Sequence, residues 1–174
     1  MTLALQSAFG ASPQWAEWLT DTAKSPLVVA TIVVAAGLAW LIAGWRAALA
    51  VPLAFGFGWL IDKASRALIF APRPAADVVE VASASSSSGL PSTFGLVFGG
   101  VFGVVLMSRA KRRDTALLQV LAAFLIITGA TARVVLGGHW PSQMLVSILL
   151  GLAAAAASHT AINFFRRRGR SNPI

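Results

Sequence analysis

Cysteine is absent from this sequence of 174 residues, and charge is scarce. Without cysteine the chain has no disulfide framework, no thiolate metal site and no cysteine nucleophile. Charged residues make up 11% of the chain and apolar residues 57%. Soluble domains carry about 25% charged residues and about 45–50% apolar residues, even with glycine counted. The composition therefore argues against a soluble domain, excludes disorder, and indicates a protein that crosses a bilayer several times.

Lysine and arginine are missing from the first 23 residues, so the basic region of a secretory signal is lacking. We therefore expect no cleaved peptide. Pro13–Ala23 places Trp15, Trp18 and Leu19 at helical spacing, opposite two carboxylates. This pattern predicts a short helix in the membrane interface, within an N-terminal segment of residues 1–25. A frayed chain end is the alternative.

Five apolar stretches follow, and together they predict one helical membrane domain over residues 26–165. They are Pro26–Gly44, Ala47–Ile61, Pro91–Ser108, Thr115–Ala132 and Pro141–Phe165. The second stretch covers only about 22 Å at 1.5 Å per residue, against a bilayer core of about 30 Å. It spans if Arg46 snorkels to the interface. The predicted fold is an all-α integral membrane bundle of about five transmembrane helices plus the short interfacial helix.

Two further features complete the predicted architecture. Gly95, Gly99 and Gly103 share one face of the third stretch, which is typical of close packing against another helix. Between the second and third stretches, Asp62–Leu90 is polar, contains two helix-breaking prolines and includes the low-complexity run Ser83–Ser88. We expect that segment to form one long loop.

The net charge of +8 falls on one face of such a bundle. With five spans, Arg46, the turn Arg109–Asp114 and the tail of residues 166–174 share one side, and acids balance bases on the other side. By the positive-inside rule the basic side is cytoplasmic. The N-terminus and the long loop then face outward, or toward the periplasm from a bacterial inner membrane. Because topology accounts for the basic residues, we expect no nucleic-acid partner.

Three arginines nevertheless lie on the outer side, near predicted span ends: Arg66, Arg73 and Arg133. Each guanidinium offers a planar fork of donors that matches phosphate oxygens. A solvated loop charge or a lipid-headgroup contact is the alternative for each. His139 lies on the same side and can act as a nucleophile toward phosphorus or as a proton carrier. An unreactive interfacial histidine is the alternative.

The segment Pro91-Ser92-Thr93-Phe94 begins the third stretch, also on the outer side. Ser92 is a good helix N-cap, and the free backbone N–H groups of a first helical turn can receive a phosphate. Simple capping explains Ser92 equally well in isolation. The three segments become more informative together because all of them are predicted on one membrane face.

The order of these residues resembles the signature of the type 2 phosphatidic acid phosphatase superfamily, which includes the vanadium haloperoxidases. The family pattern is Lys-x6-Arg-Pro, then Pro-Ser-Gly-His, then Ser-Arg-x5-His-x3-Asp. This chain has Arg66-x6-Arg73-Pro74, then Pro91-Ser92, then Arg133-x5-His139-x3-Gln143. The resemblance extends from about Pro26 to Phe165.

The resemblance implies a mechanism and assigns roles to residues. The three arginines would clamp the phosphate, and Ser92, Thr93 and neighbouring N–H groups would bind its oxygens. His139 would attack phosphorus and form a phosphohistidine, which water then hydrolyses. No metal or other cofactor is needed in that scheme. The arginines would stabilise the charge that develops on the equatorial oxygens.

Four positions depart from the family pattern. Arg66 replaces a lysine, and Ala132 replaces a serine. Gln143 stands where an aspartate accepts the Nδ1 proton of the nucleophilic histidine, so it can orient the ring without offsetting its charge. Phe94 stands where a histidine protonates the leaving group, and general acid assistance is worth about 10²–10⁴ in rate.

Three hypotheses for function follow. The first is a membrane lipid-phosphate phosphohydrolase at the outer face, acting on phosphatidate, an isoprenyl phosphate or a diphosphate. The second is a catalytically impaired pseudophosphatase that binds lipid phosphates, suggested by Phe94 and Gln143. The third is a transporter or flippase component, which rests on the membrane character and the glycine face alone. The expected partners are a lipid phosphate and the membrane.

Overall fold

The structure, a computed structural model, describes residues 1–109 and 115–170. Within these residues it has seven helices: α1 (Thr2–Phe9), α2 (Gln14–Asp21), α3 (Leu27–Ala43), α4 (Trp45–Leu68), α5 (Thr93–Met107), α6 (Ala116–Val135) and α7 (Pro141–Arg170). The predicted all-α class is confirmed for this part of the chain. Residues 110–114 of the predicted basic turn and residues 171–174 of the predicted tail lie outside the described residues.

Three helices are long and apolar enough to cross a membrane: α4, α6 and, over Pro141–Phe164, α7. Helices α3 and α5 are also apolar, but they have 17 and 15 residues. At 1.5 Å per residue they cover about 25 Å and about 22 Å. Helix length therefore supports an integral membrane protein and leaves the predicted count of five spans unconfirmed.

Helix α4 continues beyond its predicted end. We expected a loop from Asp62 onward, but the helix extends to Leu68. Asp62 and Arg66 are four residues apart on its last two turns and form an ion pair, with 3.0 Å between Arg66 Nε and Asp62 Oδ1. Such a pair supports a helix end, and the first helix breaker after it is Pro72. The prediction of a loop over Asp62–Leu68 was wrong because the local charge density concealed this pairing.

The N-terminal segment contains two helices instead of one. Helix α2 confirms the predicted helix, and α1 was not predicted. Gln6 of α1 donates from Nε2 to the carbonyl oxygens of Glu80, at 2.7 Å, and Val135, at 2.8 Å. Helix α2 packs on α6 through Ala16 and Ala132, which are both fully buried. The segment is therefore docked on the end of α6 and is not a frayed terminus.

Helix α5 lies at the centre of the bundle and buries twelve of its fifteen residues. The predicted close packing of its glycine face is confirmed against α7. A Cβ added at Gly95 would lie 2.6 Å from Ser147 Cβ, and one at Gly99 would lie 2.6 Å from the Ile148 carbonyl oxygen. The two backbones can approach this closely only because glycine has no Cβ. The start of α5 is thereby held beside the start of α7.

This packing brings several helix ends together at one end of the bundle. The C-terminal ends of α2, α4 and α6 meet the N-terminal ends of α5 and α7. The loop of residues 69–92 folds over the same end, where its Ala82 N–H donates to the Leu136 carbonyl oxygen at 3.1 Å. The candidate site residues lie at these helix ends, in this loop and in the connector between α6 and α7.

Candidate active site

A cavity of about 370 Å³ opens at this end of the bundle. Its walls include every candidate site residue except Gln143, namely Arg66, Arg73, Ser92, Thr93, Phe94, Arg133 and His139. The remaining wall is formed by the end of α2 and the turn that follows it, with Thr20, Ala23, Lys24 and Ser25. The structure thus brings together residues that are up to 73 positions apart in the predicted motifs. The cavity is large enough for a phosphate group.

His139 lies in the connector between α6 and α7, which turns at Gly137 with a left-handed φ of 65°. The imidazole is 2% exposed. Its Nδ1 atom lies 2.7 Å from the Gly89 carbonyl oxygen, and a carbonyl only accepts hydrogen bonds, so we assign the proton to Nδ1. Nε2 then carries a lone pair, 3.4 Å from Nη1 of Arg73. That nitrogen is available as a nucleophile.

The surroundings of His139 disfavour its protonation. Burial and the positive charges of Arg133 and Arg73 lower its pKa to about 3, although the hydrogen bond to Gly89 acts in the opposite direction. The ring is therefore neutral near pH 7, with Nε2 unprotonated and placed to accept a hydrogen bond from Arg73.

We expect the His139 ring of the ligand-free protein to stay neutral from pH 7 down to about pH 4. Histidine NMR in detergent would measure this, with His139→Gln identifying the signal. The ordinary histidine pKa is 6.5. Because the unfolded chain binds this proton first, His139 also makes folding less favourable as the pH falls from 6.5 toward 3. A titration midpoint near 6.5 would contradict the described surroundings of the ring.

Arg73 is held in place by the serine-rich loop. Its Nε donates to the Ser87 carbonyl oxygen, and its Nη2 donates to Ser87 Oγ, both at 2.9 Å. Its Nη1 donates to the Gly138 carbonyl oxygen at 2.9 Å. Burial and the nearby charge of Arg66 lower the pKa of Arg73 from its ordinary value. The run Ser83–Ser88, interpreted above as low-complexity loop, therefore positions a candidate phosphate ligand.

Arg66 lines the cavity, and most of its donors are already used by the protein. Its Nε pairs with Asp62, its Nη1 donates to the Ser88 carbonyl oxygen at 3.1 Å, and its Nη2 donates to the Pro91 carbonyl oxygen at 2.8 Å. Nη2 also lies 3.3 Å from Thr93 Oγ1. Arg66 thus joins the end of α4 to the start of α5, and its effect on a bound anion comes mainly from its charge. The spacing of four residues between Asp62 and Arg66 was the sequence signal for this pair.

Two buried polar atoms of the cavity residues have no hydrogen-bond partner in the described part of the chain. They are Ser92 Oγ and Arg133 Nε. Ser92 is the N-cap residue of α5, but Oγ makes no capping bond, and its backbone N–H donates to Ser147 Oγ at 2.7 Å. Leaving a buried polar group unpaired costs about 1–3 kcal/mol. A bound anion would accept hydrogen bonds from both side chains, so these two atoms point to a ligand.

Arg133 lies on the last turn of α6, which extends to Val135, whereas the predicted fourth stretch ended at Ala132. The connector passes directly beside its guanidinium. A Cβ added at Gly138 would lie 2.8 Å from Nη2 of Arg133, so a larger residue there would displace the guanidinium. Among the residues that the structure describes, no group of three or more His, Asp or Glu side chains could hold a metal ion.

Gln143 lies behind the site and does not hold the histidine ring. Its Nε2 donates to the Pro72 carbonyl oxygen at 2.8 Å, and its Oε1 accepts from the Trp140 backbone N–H at 3.1 Å. The acceptor for His139 Nδ1 is the Gly89 carbonyl instead. A Cβ added at Gly89 would lie 2.7 Å from Gln143 Nε2. Gln143 therefore supports the loop that orients His139, through hydrogen bonds to the backbone of Pro72 and Trp140.

Phe94 presents an aromatic ring to the cavity. The ring stacks on Phe98 with 4.0 Å between centroids and occupies space beside Gly129 of α6 that a Cβ there would need. The side chain is 4% exposed. Because phenylalanine has no transferable proton, this position provides packing and no acid.

The comparison with protein families gives one match. The model of the PAP2 superfamily covers residues 47–167, which is more than half of the chain. The covered region contains the three arginines, Ser92 and His139, but not the wall formed by residues 20–25. Neither the comparison with curated proteins nor the comparison with solved structures gives a match. The family match confirms the resemblance seen in the motifs, and the chain belongs to the PAP2 superfamily.

Proposed function

We propose that the protein is a membrane lipid-phosphate phosphohydrolase that acts through a phosphohistidine at His139. Membership of the PAP2 superfamily indicates phosphatase activity on phosphoesters. The observation that carries the proposal is the convergence, in one cavity, of a neutral histidine, three arginines and two unpaired buried polar atoms. This set supplies a nucleophile and an anion site in one cavity that can hold a phosphate group.

In the first step, Nε2 of His139 attacks phosphorus while the bond from phosphorus to the leaving oxygen breaks. The Gly89 carbonyl holds the Nδ1 proton and keeps Nε2 aimed at the cavity. Arg73 and Arg133 stabilise the charge on the equatorial oxygens, an effect that usually dominates such reactions. In the second step, water attacks phosphorus, the phosphorus–nitrogen bond breaks, the protons of the water stay with the released phosphate, and His139 returns to its neutral state.

The leaving group defines the preferred substrate. Phe94 donates no proton, so the family's usual acid is missing at that position. A diphosphate leaves as a phosphate monoester, which needs less proton assistance than the alkoxide of a simple lipid monoester. We therefore propose an isoprenyl diphosphate as the preferred substrate and phosphatidate as a poorer one.

We further propose that α3 and α5 also cross the bilayer, which gives five spans with α1 and α2 at the outer interface. Helix α5 is enclosed by its neighbours, so its short length need not match the full hydrocarbon core. Arg46 lies in the first turn of α4 and Arg109 follows α5, at the opposite end of the bundle from the cavity. The positive-inside rule then places the cavity outside and the basic tail in the cytoplasm. In a bacterium this membrane is the inner membrane.

Phosphate release tests the proposed function directly. We expect the protein in detergent micelles to release phosphate from farnesyl diphosphate, and more slowly from phosphatidic acid, over many turnovers. Orthovanadate, which imitates pentavalent phosphorus, should inhibit the reaction, and a metal chelator should leave the rate unchanged. The absence of both phosphate release and orthovanadate binding would contradict the proposal.

A second candidate is a pseudophosphatase that binds lipid phosphates without efficient turnover. Phe94 favours it, as does the amide of Gln143, which bonds away from the nucleophile. This candidate predicts tight orthovanadate binding together with no more than one phosphate released per protein molecule. The same assay therefore separates the two candidates.

A further inference from the structure

One wall of the catalytic cavity is built by residues that precede the region matched to the family. Thr20, Ala23, Lys24 and Ser25 form this wall, and the family match begins at residue 47. Thr20 and Ala23 are buried, and α2 packs on α6, the helix that carries Arg133. The wall is therefore a packed part of the bundle, contributed by this chain's own N-terminal segment.

The Lys24 side chain lies on this wall with 65% of its surface exposed, and its backbone is held in the turn that follows α2. Its Nζ lies 2.7 Å from Asp21 Oδ1. Its backbone N–H donates to the Asp21 carbonyl oxygen at 2.9 Å, and its own carbonyl oxygen accepts from the Val28 N–H at 2.8 Å. Lys24, Thr20, Arg73 and Arg133 also line a second cavity, of about 380 Å³. Lys24 thus stands where the phosphate cavity adjoins further space at the same end of the bundle.

The chemistry of the lining residues singles out Lys24. Among the described residues that line the phosphate cavity, the ionisable side chains are those of three arginines, His139 and Lys24. A guanidinium does not give up its proton in proteins, and His139 is the nucleophile, with no proton on Nε2. Serine and threonine hydroxyls are much weaker acids than an ammonium group. Among these side chains, only Lys24 can donate a proton to a leaving oxygen and regain it from solvent.

We infer that Lys24 is the leaving-group acid of this active site and replaces the proton donor missing at Phe94; this inference rests on the proposed phosphohydrolase function. As the phosphorus–oxygen bond breaks, its electron pair stays on the leaving oxygen, which takes a proton from Lys24 Nζ. The amine remains beside Asp21. When water then attacks phosphorus, the bond between phosphorus and His139 Nε2 breaks, the protons of the water stay with the released phosphate, and the amine regains its proton from solvent.

Leaving groups of different basicity test this role. Wild type, Lys24→Met and Lys24→Arg are compared on phosphatidic acid, whose leaving group is a basic alkoxide, and on 4-nitrophenyl phosphate, whose leaving group is weakly basic. We expect both variants to lose about 10²–10⁴-fold in kcat on phosphatidic acid and less than about tenfold on the aryl ester. Arginine keeps the charge but donates no proton, so it should not rescue the alkyl reaction. Lys63→Met, at an exposed lysine of α4 outside the cavity lining, should behave as wild type.

The comparison is made between two substrates of one protein sample, so an unfolded fraction cancels. Equal losses on the two esters, or wild-type turnover of phosphatidic acid by Lys24→Met, would overturn the role of Lys24 while leaving the phosphohydrolase intact. Equal turnover by wild type and His139→Ala would overturn the proposed function and this inference with it.

Discussion

His139→Ala should abolish turnover, with a loss of about 10⁴-fold or more in kcat on farnesyl diphosphate. No other described residue that lines the cavity carries an imidazole, and the other side-chain nitrogens belong to three arginines and Lys24. The covalent intermediate should disappear together with turnover. Rapid quenching with labelled substrate should trap an acid-labile phosphoenzyme in the wild type and none in the variant.

The chain offers a matched control in its second histidine. His159 is partly buried on α7, where its Nε2 lies 3.3 Å from the Val104 carbonyl oxygen, and it does not line the cavity. His159→Ala should therefore keep both turnover and the phosphoenzyme. A phosphoenzyme that persists in His139→Ala would show that the nucleophile is a different residue.

The charges of the site explain why an anion belongs there. Four cationic side chains line the cavity and no carboxylate is among the described lining residues, whereas Asp62 and Asp21 pair with Arg66 and Lys24. Each carboxylate thus anchors one cation at the periphery, and neither is among the cavity-lining residues. Arg73 is held by serine and backbone oxygens, which fix its position without neutralising it. A bound phosphate would balance the positive charge of the side chains that line the cavity.

Much of the fold followed from apolar patterning. The stretches predicted as spans correspond to α3, α4, α5, α6 and α7. The end of α4 was predicted wrongly because Asp62 and Arg66 look like loop residues until their spacing pairs them on a helix. Helix α1 was missed because its short apolar run is held mainly by distant contacts, such as those of Gln6 with Glu80 and Val135. Contacts of this kind leave no local pattern.

The side chains of the site could be predicted from the sequence, whereas its backbone hydrogen-bond partners could not. Arg133 and His139 stand at a motif spacing, so the sequence alone could pair them. The Gly89 carbonyl that orients His139 could not be found, because every residue carries such an acceptor and only the folded loop selects one. The position of Gln143 in the motif suggested that its side chain orients the His139 ring. The hydrogen bond to Nδ1 is made by the Gly89 carbonyl instead.

Arg133→Met should separate binding from stability. We expect kcat/KM on farnesyl diphosphate to fall about 10²–10³-fold, as it does when one donor to a developing oxyanion is removed, and orthovanadate affinity to fall with it. The ligand-free protein should unfold at the same or a higher temperature. Arg133 Nε is buried without a partner, and a methionine of similar length keeps the packing while removing a polar group that has no counterpart before the anion binds.

Thermal unfolding in detergent, with and without orthovanadate, measures both effects in one experiment. The wild type should gain stability from the anion, and Arg133→Met should gain little. Lys63→Met removes a cation from the exposed surface of α4, so it should keep the full orthovanadate response. Arg133→Lys keeps the charge but lacks the planar fork, and we expect its affinity to lie between the two. If Arg133→Met instead unfolds at a lower temperature and still binds orthovanadate as the wild type does, Arg133 is a structural residue of α6 and not a ligand of the phosphate.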